Sequence, residues 1–221
     1  MIRYIAALGA CFALAACTAV PKDIAFDASA QEAMVVIEAA GPAARNGLYA
    51  LQVTPFDPER GFPSAGYVSM DEVTDPSGGR RYFIGRAKPG RYVIGSVSHQ
   101  STWYACFNGG THQFDVQAGR VNYLGRVDPR LALLELAIRT PSSSMNGEEF
   151  HVLDTPRIPL EPAAAVEGGR AGVTDFLART YPGVKAELVD IQTEPAVFNT
   201  GRSLFGQKVC YGYFRKDGRE D

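Results

Sequence analysis

His99, His112, Cys106 and Asp115 are the residues of this 221-residue chain whose types could together ligate a metal ion. A zinc centre needs three or four such ligands converging at about 2.0–2.3 Å, commonly as pairs a few positions apart. These four lack paired spacing, and the strand register argued below sets Cys106 and His112 on opposite faces. Both histidines read instead as strand-surface or hydrogen-bonded residues. His151 and Asp154 follow Ser142, Ser143 and Ser144, which raises Ser-His-Asp acyl transfer. No strained nucleophile turn or oxyanion-hole glycine pattern accompanies them, and a serine run suits a solvated loop. Asp71-Glu72 and Glu148-Glu149 are carboxylate pairs that could exchange protons, but neighbours on a strand point to opposite faces. They read as loop or edge charges that discourage stray strand pairing. There is no G-x-S-x-G elbow, no H-E-x-x-H, no P-loop and no G-x-G-x-x-G. The sequence therefore assigns no catalytic residue, no metal ligand and no cofactor, and it favours a non-enzymatic role.

Aromatic residues are the remaining source of chemistry. Tyr49, Tyr67, Tyr82, Tyr92, Trp103, Tyr104, Tyr123, Tyr211 and Tyr213 fall mainly in expected strands. Most belong in the core or at its rim, where the ring packs and the polar atom finds an edge. Left exposed as a row, Tyr82, Tyr92, Tyr104 and Tyr123 would form a surface for glycan, a small ligand or a protein. Charge points away from nucleic acid: 22 basic residues against 24 acidic ones leave no basic face to track a phosphate backbone. The basic pairs Arg80-Arg81 and Arg215-Lys216 read as solvated strand ends.

The elements that would position these side chains are mostly strands. "AMVVIEAA" (residues 33–40) and "LYALQVT" (48–54) suit strands, and the proline-rich stretch 55–65 suits a loop. In "RRYFIGRAKPGRYVIGSVS" two aromatic and β-branched runs flank Lys88-Pro89-Gly90, which predicts a hairpin with a type II turn. "STWYACF" and "THQFDVQ" flank Asn108-Gly109-Gly110, the strongest short hairpin signal. With Asn108 and Gly109 as the loop, Trp103 faces Phe114, Ala105 faces His112, and Cys106 faces Thr111. Trp103, Ala105, Phe107, Phe114 and Val116 then share a buried face, and Tyr104 and Cys106 lie on the other. Ala118-Gly119 turns the chain into "RVNYLGRV". "LALLELAIR" after Asp128-Pro129 is ambiguous between helix and strand, and its length and place in a strand series favour a strand. Residues 141–147 read as a loop. Val173, Phe176, Leu177 and Tyr181 recur at helical spacing and predict a helix over about residues 169–180. Short strands near 184–192 and 207–214 follow. The fold class is mainly β: an antiparallel sandwich or open barrel with one packed C-terminal helix.

The N-terminus carries an address. After Arg3, Tyr4–Ala16 is an uncharged run of 13 residues, about 20 Å long as a helix. A bilayer core is about 30 Å thick, so the run is too short to span and has the form of an export signal. Leu14-Ala15-Ala16-Cys17 resembles the lipobox of bacterial lipoprotein precursors, in which the cysteine sulfur takes a diacylglycerol and becomes the first residue after cleavage. Leu8-Gly9-Ala10-Cys11 also fits loosely but leaves too short an apolar region, which favours Cys17. The resemblance implies a firm membrane anchor through the acyl chains on Cys17. Thr18, in place of an aspartate after the cysteine, implies the outer membrane. Together with the tether and the lack of catalytic motifs, the Cys17 signal points to an envelope protein that binds or assembles with another envelope component, protein or glycan. The alternatives are a glycan- or small-ligand-binding lipoprotein and an envelope hydrolase.

The expected organisation is a signal peptide at 1–16, a lipidated cysteine with a flexible tether at 17–32, and one β-rich domain at 33–214. The helix-containing portion covers about 165–214, and 215–221 is a polar tail. In an oxidising envelope the two remaining cysteines, Cys106 and Cys210, invite a disulfide; the alternative is two separate buried thiols. "KPGRYVI" and "FDVQAGRVNYLG" resemble the turns of small prealbumin-like and immunoglobulin-like sandwiches of envelope lipoproteins. That resemblance bears on the fold and implies no activity.

Overall fold

The computed structural model describes residues 19–41, 48–63, 66–77, 79–99, 103–131, 133–134, 150–152, 158–202, 206 and 208–210. The strands are β1 (Ala33–Ala39), β2 (Tyr49–Asp57), β3 (Phe62–Pro63), β4 (Val68–Thr74), β5 (Arg81–Ala87), β6 (Gly90–His99), β7 (Trp103–Cys106) and β8 (Thr111–Val116). They continue with β9 (Arg120–Val127), β10 (Phe150–Val152), β11 (Leu160–Pro162), β12 (Glu187–Asp190), β13 (Glu194–Ala196), β14 (Gly201–Arg202) and β15 (Lys208–Val209). One α-helix, α1 (Gly169–Thr180), follows β11.

The main sheet runs in the order β10-β7-β6-β2-β4-β5-β1-β9-β11, and it curls into a half-barrel. Alternation sends one set of side chains inward. Val35, Ile37, Leu51, Val53, Met70, Phe83, Ile94, Val97, Phe107 and Leu124 fill the trough, with Leu133, Ile158 and Ile191 closing its open side. The opposite set on β1, β5 and β9 (Met34, Val36, Tyr82, Ile84, Val121, Tyr123) meets Val173, Phe176, Leu177 and Tyr181 of the helical layer. β1 is therefore covered on both faces, which is why it reads as an almost unbroken apolar run. The fold is mainly β with the expected C-terminal helix packed on it, but the pairing is mixed: β1 and β12 both run parallel to β9, and β10 runs parallel to β7.

The turns are where expectation and structure part. β5 and β6 do not pair across Lys88-Pro89-Gly90. β5 lies between β4 and β1, whereas β6 pairs with β2, β7 and β8. Proline and glycine reverse the chain, but the β2–β4 pair lies between the two arms, so the turn is an arch across the trough. β7 and β8 do not pair either. Both run antiparallel to β6, β7 against Ser96–His99 and β8 against Gly90–Val93. Asn108-Gly109-Gly110 is thus a long bulge inside one broken strand, which β10 and β13 flank on the side away from β6. It is held by Phe107 N–H to Gly95 O (2.9 Å), by Gly110 N–H to Phe107 O (3.1 Å) and by Thr111 Oγ1 on Ile94 O. The expected faces nevertheless hold: Ala105, Phe107, Phe114 and Val116 are in the trough with Trp103 packed against them, and Cys106 is on the other side. Side-chain alternation is a property of one strand and does not depend on its partner. Ala118-Gly119 likewise leads from β8 into β9, which pairs elsewhere. Gly119 (φ 63°) donates its N–H to Glu32 O at 2.9 Å, and a Cβ there would collide with the backbone of Ala28. Proline does not end β2, which continues through Pro55 to Asp57 and pairs with β3.

Two further expectations change. The described residues of 129–134 are helical, so "LALLELAIR" does not open as a strand. Asp128 Oδ1 accepts from Arg130 N–H at 2.9 Å with Pro129 between, an N-cap followed by proline at the first helical position. Residues 19–32 are not a loose tether. Val20 and Phe26 are buried with the helical layer, Phe26 bridges Val184, and the N–H groups of Phe26 and Lys185 bond Gly183 O (3.2 Å) and Phe26 O (2.7 Å). The folded domain therefore begins near residue 20.

α1 is seated by glycines and pinned by charge. A Cβ on Gly169 would lie 2.6 Å from the Tyr123 hydroxyl, and one on Gly172 would lie 2.7 Å from Arg80 Nη1. Glycine at these positions forgoes about 1 kcal/mol of helix propensity each and lets the helix lie directly on the sheet. At its far end Arg179 grips the buried Asp75 (Nη2 to Oδ2 2.5 Å, Nε to Oδ1 3.2 Å). The Arg179 hydrogen bonds hold the Asp75 carboxyl below its ordinary value, with Ser77 helping and burial opposing. A depressed carboxylate pKa contributes stability above the unfolded pKa, about 3.9, and loses it as pH falls through the folded value. Asp75→Asn is therefore expected to lower the folding free energy by about 1 kcal/mol at pH 7. Urea titrations of variant and parent should converge as the pH falls through the folded Asp75 value, which lies below the unfolded one. A gap unchanged between pH 7 and pH 3 would refute this assignment.

Candidate functional site

Among the described residues, the buried charged groups Glu38, Glu72, Asp75 and Arg81 gather at one end of the half-barrel, on both faces of the sheet. β4 alternates so that Met70 and Glu72 point into the trough, and β5 does the same with Arg81 and Phe83. Glu72 and Arg81 therefore meet on a diagonal at the trough's mouth, with side chains 3% and 5% exposed. Arg81 Nη1 contacts Glu72 Oε1 directly, and Nη2 reaches Ala40 O (3.1 Å) and Gly41 O. Glu72 Oε2 accepts from Tyr49 N–H at 3.4 Å. The guanidinium–carboxylate pair thus ties the end of β1, the start of β2, and β4 to β5. Tyr49 lies over the pair with its ring 5.2 Å from that of His99. Burial pushes the Tyr49 hydroxyl above its ordinary pKa, and Glu72 adds to the shift. The described helical residues of 129–134 follow β9 at the same end. Leu133 is buried in the trough, whereas Leu48, Leu131 and Leu134 are 57%, 48% and 45% exposed.

The second cluster is on the helix side. Glu38, 5% exposed, lies between Arg80 (3.2 Å) and Arg126 (3.7 Å), and Arg126 also pairs with Glu161 at 2.9 Å. Arg80 extends to Glu167 O and Gly168 O, both at 3.4 Å, joining sheet to helix start. Tyr82 and Tyr123 lie beneath, fully buried. Burial pushes the Tyr82 hydroxyl up to about 12, with Glu38 adding and Arg80 opposing, and burial likewise raises Tyr123. Neither phenol ionises near neutral pH, and the Tyr82 ring stacks on Phe176 at 4.4 Å between centroids.

The residues singled out from sequence are scattered. Tyr82 and Tyr123 belong to the helical layer, Tyr92 to the trough, and only Tyr104 is partly exposed, so the four do not form a binding surface. Rings on strands covered from both sides are buried whichever way they point. Cys106 and Cys210 are joined by a disulfide, Cα–Cα 5.6 Å, in a small cluster with Phe56, Val93 and Phe198. His112 Nε2 is 3.2 Å from Ile158 O, and Asp115 makes a bidentate pair with Arg91 (2.9 and 3.0 Å). The Arg91 hydrogen bonds hold Asp115 below its ordinary pKa. His99, His112, Cys106 and Asp115 do not converge, and among the described residues no group of three His, Cys, Asp or Glu side chains could hold a metal ion. Cys17, Ser142–Ser144, Asp154 and the His151 side chain lie outside the described residues.

Two sequence readings of charge are corrected. Asp71-Glu72 is not an edge pair, because β4 lies inside the sheet and Glu72 is buried. Arg80-Arg81 is not a solvated strand end, because Arg81 answers Glu72 from within the core. The signal was present: in "VSMDEVT" the period of two puts Glu72 on the same face as Met70, and a carboxylate among apolar neighbours requires a cation. No helix among the described residues is long and apolar enough to cross a membrane. No family model, curated protein or solved structure matches the chain.

Proposed function

We propose that this chain is a lipid-anchored envelope protein, acylated on Cys17 and held at the outer membrane, whose half-barrel works by binding another envelope component. The observation that carries the reading is Leu14-Ala15-Ala16-Cys17 at the end of a 13-residue uncharged run. The use of charge in the fold supports it. Glu72 is committed to Arg81, Asp75 to Arg179, Asp115 to Arg91 and Cys106 to Cys210, arrangements that hold strands together. Leu48, Leu131 and Leu134 are apolar and exposed at the end that Tyr49 and His99 line, and they are the contact surface in this reading. A photo-crosslinking amino acid placed at Leu131 should trap one discrete adduct in the native envelope. The same probe at Glu187, at the opposite end of β9, should trap none. Equal labelling from both positions, or turnover of an envelope substrate by the purified domain, would sink the proposal.

A further inference from the structure

We infer that the domain rests directly against the lipid surface, through the N-terminal segment 19–24 and the adjoining turn 183–185, with no tether between fold and bilayer. This rests on the acylation of Cys17 proposed above, and it adds the orientation. The argument is one of length. Val20, three residues beyond Cys17, is 7% exposed and packed in the helical-layer cluster with Phe26, Tyr181 and Val184. Three residues span at most about 11 Å when fully extended. A thioether-linked diacylglycerol sits at the boundary between hydrocarbon and headgroups, and the headgroup layer on one side is roughly 5–7 Å deep. Crossing that layer leaves the chain only a few ångströms before its first core residue, so the fold cannot stand off from the membrane.

The segment is also fastened along its length. Ile24 N–H bonds Pro21 O (3.2 Å), and a Cβ on Gly183 would strike the Ile24 backbone. Phe26 pairs in both directions with the 183–185 turn. Peeling it away would expose Val20 and Phe26. Lys22 and Lys185 are both exposed here and suit lipid phosphates; Asp23 and Asp27 are exposed beside them, so the contact is set by the anchor and not by net charge. β7, with Trp103 and the disulfide, is separated from β1 by four strands in the sheet order, and Trp103 packs against the trough cluster whereas Val20 and Phe26 pack in the helical layer.

The full precursor would be produced in a bacterial envelope, purified in detergent and reconstituted into phosphatidylethanolamine–phosphatidylglycerol vesicles containing acyl-brominated lipid. Environment-sensitive fluorophores on Lys22→Cys and Lys185→Cys should be quenched at least twofold, with the intrinsic emission of Trp103 unchanged. A twelve-residue Gly/Ser insertion between Thr18 and Ala19 should abolish that quenching while leaving the acyl mass intact. Acylated protein whose labels are unquenched without the insertion, or whose Trp103 is quenched equally, would overturn the inference and leave the anchor standing. An unmodified Cys17 by mass spectrometry would remove the anchor and the inference together.

Discussion

Arg81→Met is expected to destabilise the domain by about 3–5 kcal/mol, because it leaves the Glu72 carboxylate in the core with no counter-charge. Glu72→Leu should cost a similar amount by orphaning the guanidinium. The informative variant is the double one. Replacing a buried ion pair by apolar side chains of similar volume is often neutral or stabilising, since neither partner then needs to be desolvated. Full recovery is not expected here, because Arg81 also donates to Ala40 O and Gly41 O. Carbonyls left without partners would keep the double variant about 1–3 kcal/mol below the parent. Urea unfolding with matched m-values checks all three. Singles and double all within 1 kcal/mol of the parent would mean that water reaches the pair and that it does not clamp the mouth.

Removing the disulfide should have the other large effect. Cys106 and Cys210 are 104 residues apart, and closing a loop of about that size restricts the unfolded chain by about 4.7 kcal/mol on chain-entropy grounds. Against a total stability of about 5–15 kcal/mol for an ordinary domain, that is a third or more. Cys106→Ser/Cys210→Ser is expected to lower stability by about 4 kcal/mol, and the loss should have a location. Beyond β13 the chain is held by Phe198 N–H on Asn108 O (3.0 Å), by Asn199 N–H on Gly61 O (2.9 Å) and by the crosslink itself. Limited proteolysis should therefore cut the variant between residues 197 and 210 before the sheet yields, whereas the parent resists until it unfolds globally. Identical cleavage patterns would show that Phe198 and its neighbours hold this end without help.

Both effects were partly legible from composition and spacing. Cys106 and Cys210, both far from the N-terminal apolar run, invite pairing in an oxidising compartment, although their separation says nothing about whether the fold brings them together. Asp71-Glu72 reads from sequence as a loop or edge pair; the period of two that sets Glu72 beside Met70 was available, but its partner sits on β5, nine positions on, and sequence spacing does not reveal a diagonal neighbour. The tyrosines were the converse. Tyr82, Tyr92 and Tyr123 fall in strands with period-two spacing, which leaves a ring equal chances of facing core or solvent until both faces of the sheet are known to be covered.

Part of the local structure was readable from sequence alone: several strands though not β4 or the helical turn after Asp128, the helix at 169–180, the places where the chain reverses, and the face each side chain takes along a strand. These follow from φ restrictions at proline and glycine, from alternation, and from helical periodicity, all of which act within a few residues. Tertiary structure alone decided which strands pair, and so turned Lys88-Pro89-Gly90 and Ala118-Gly119 into arches and Asn108-Gly109 into a bulge. A turn dictates only that the chain comes back. Where it comes back to depends on burying β1 on both faces and curling the sheet around a single trough, and that free energy is shared by residues more than a hundred positions apart.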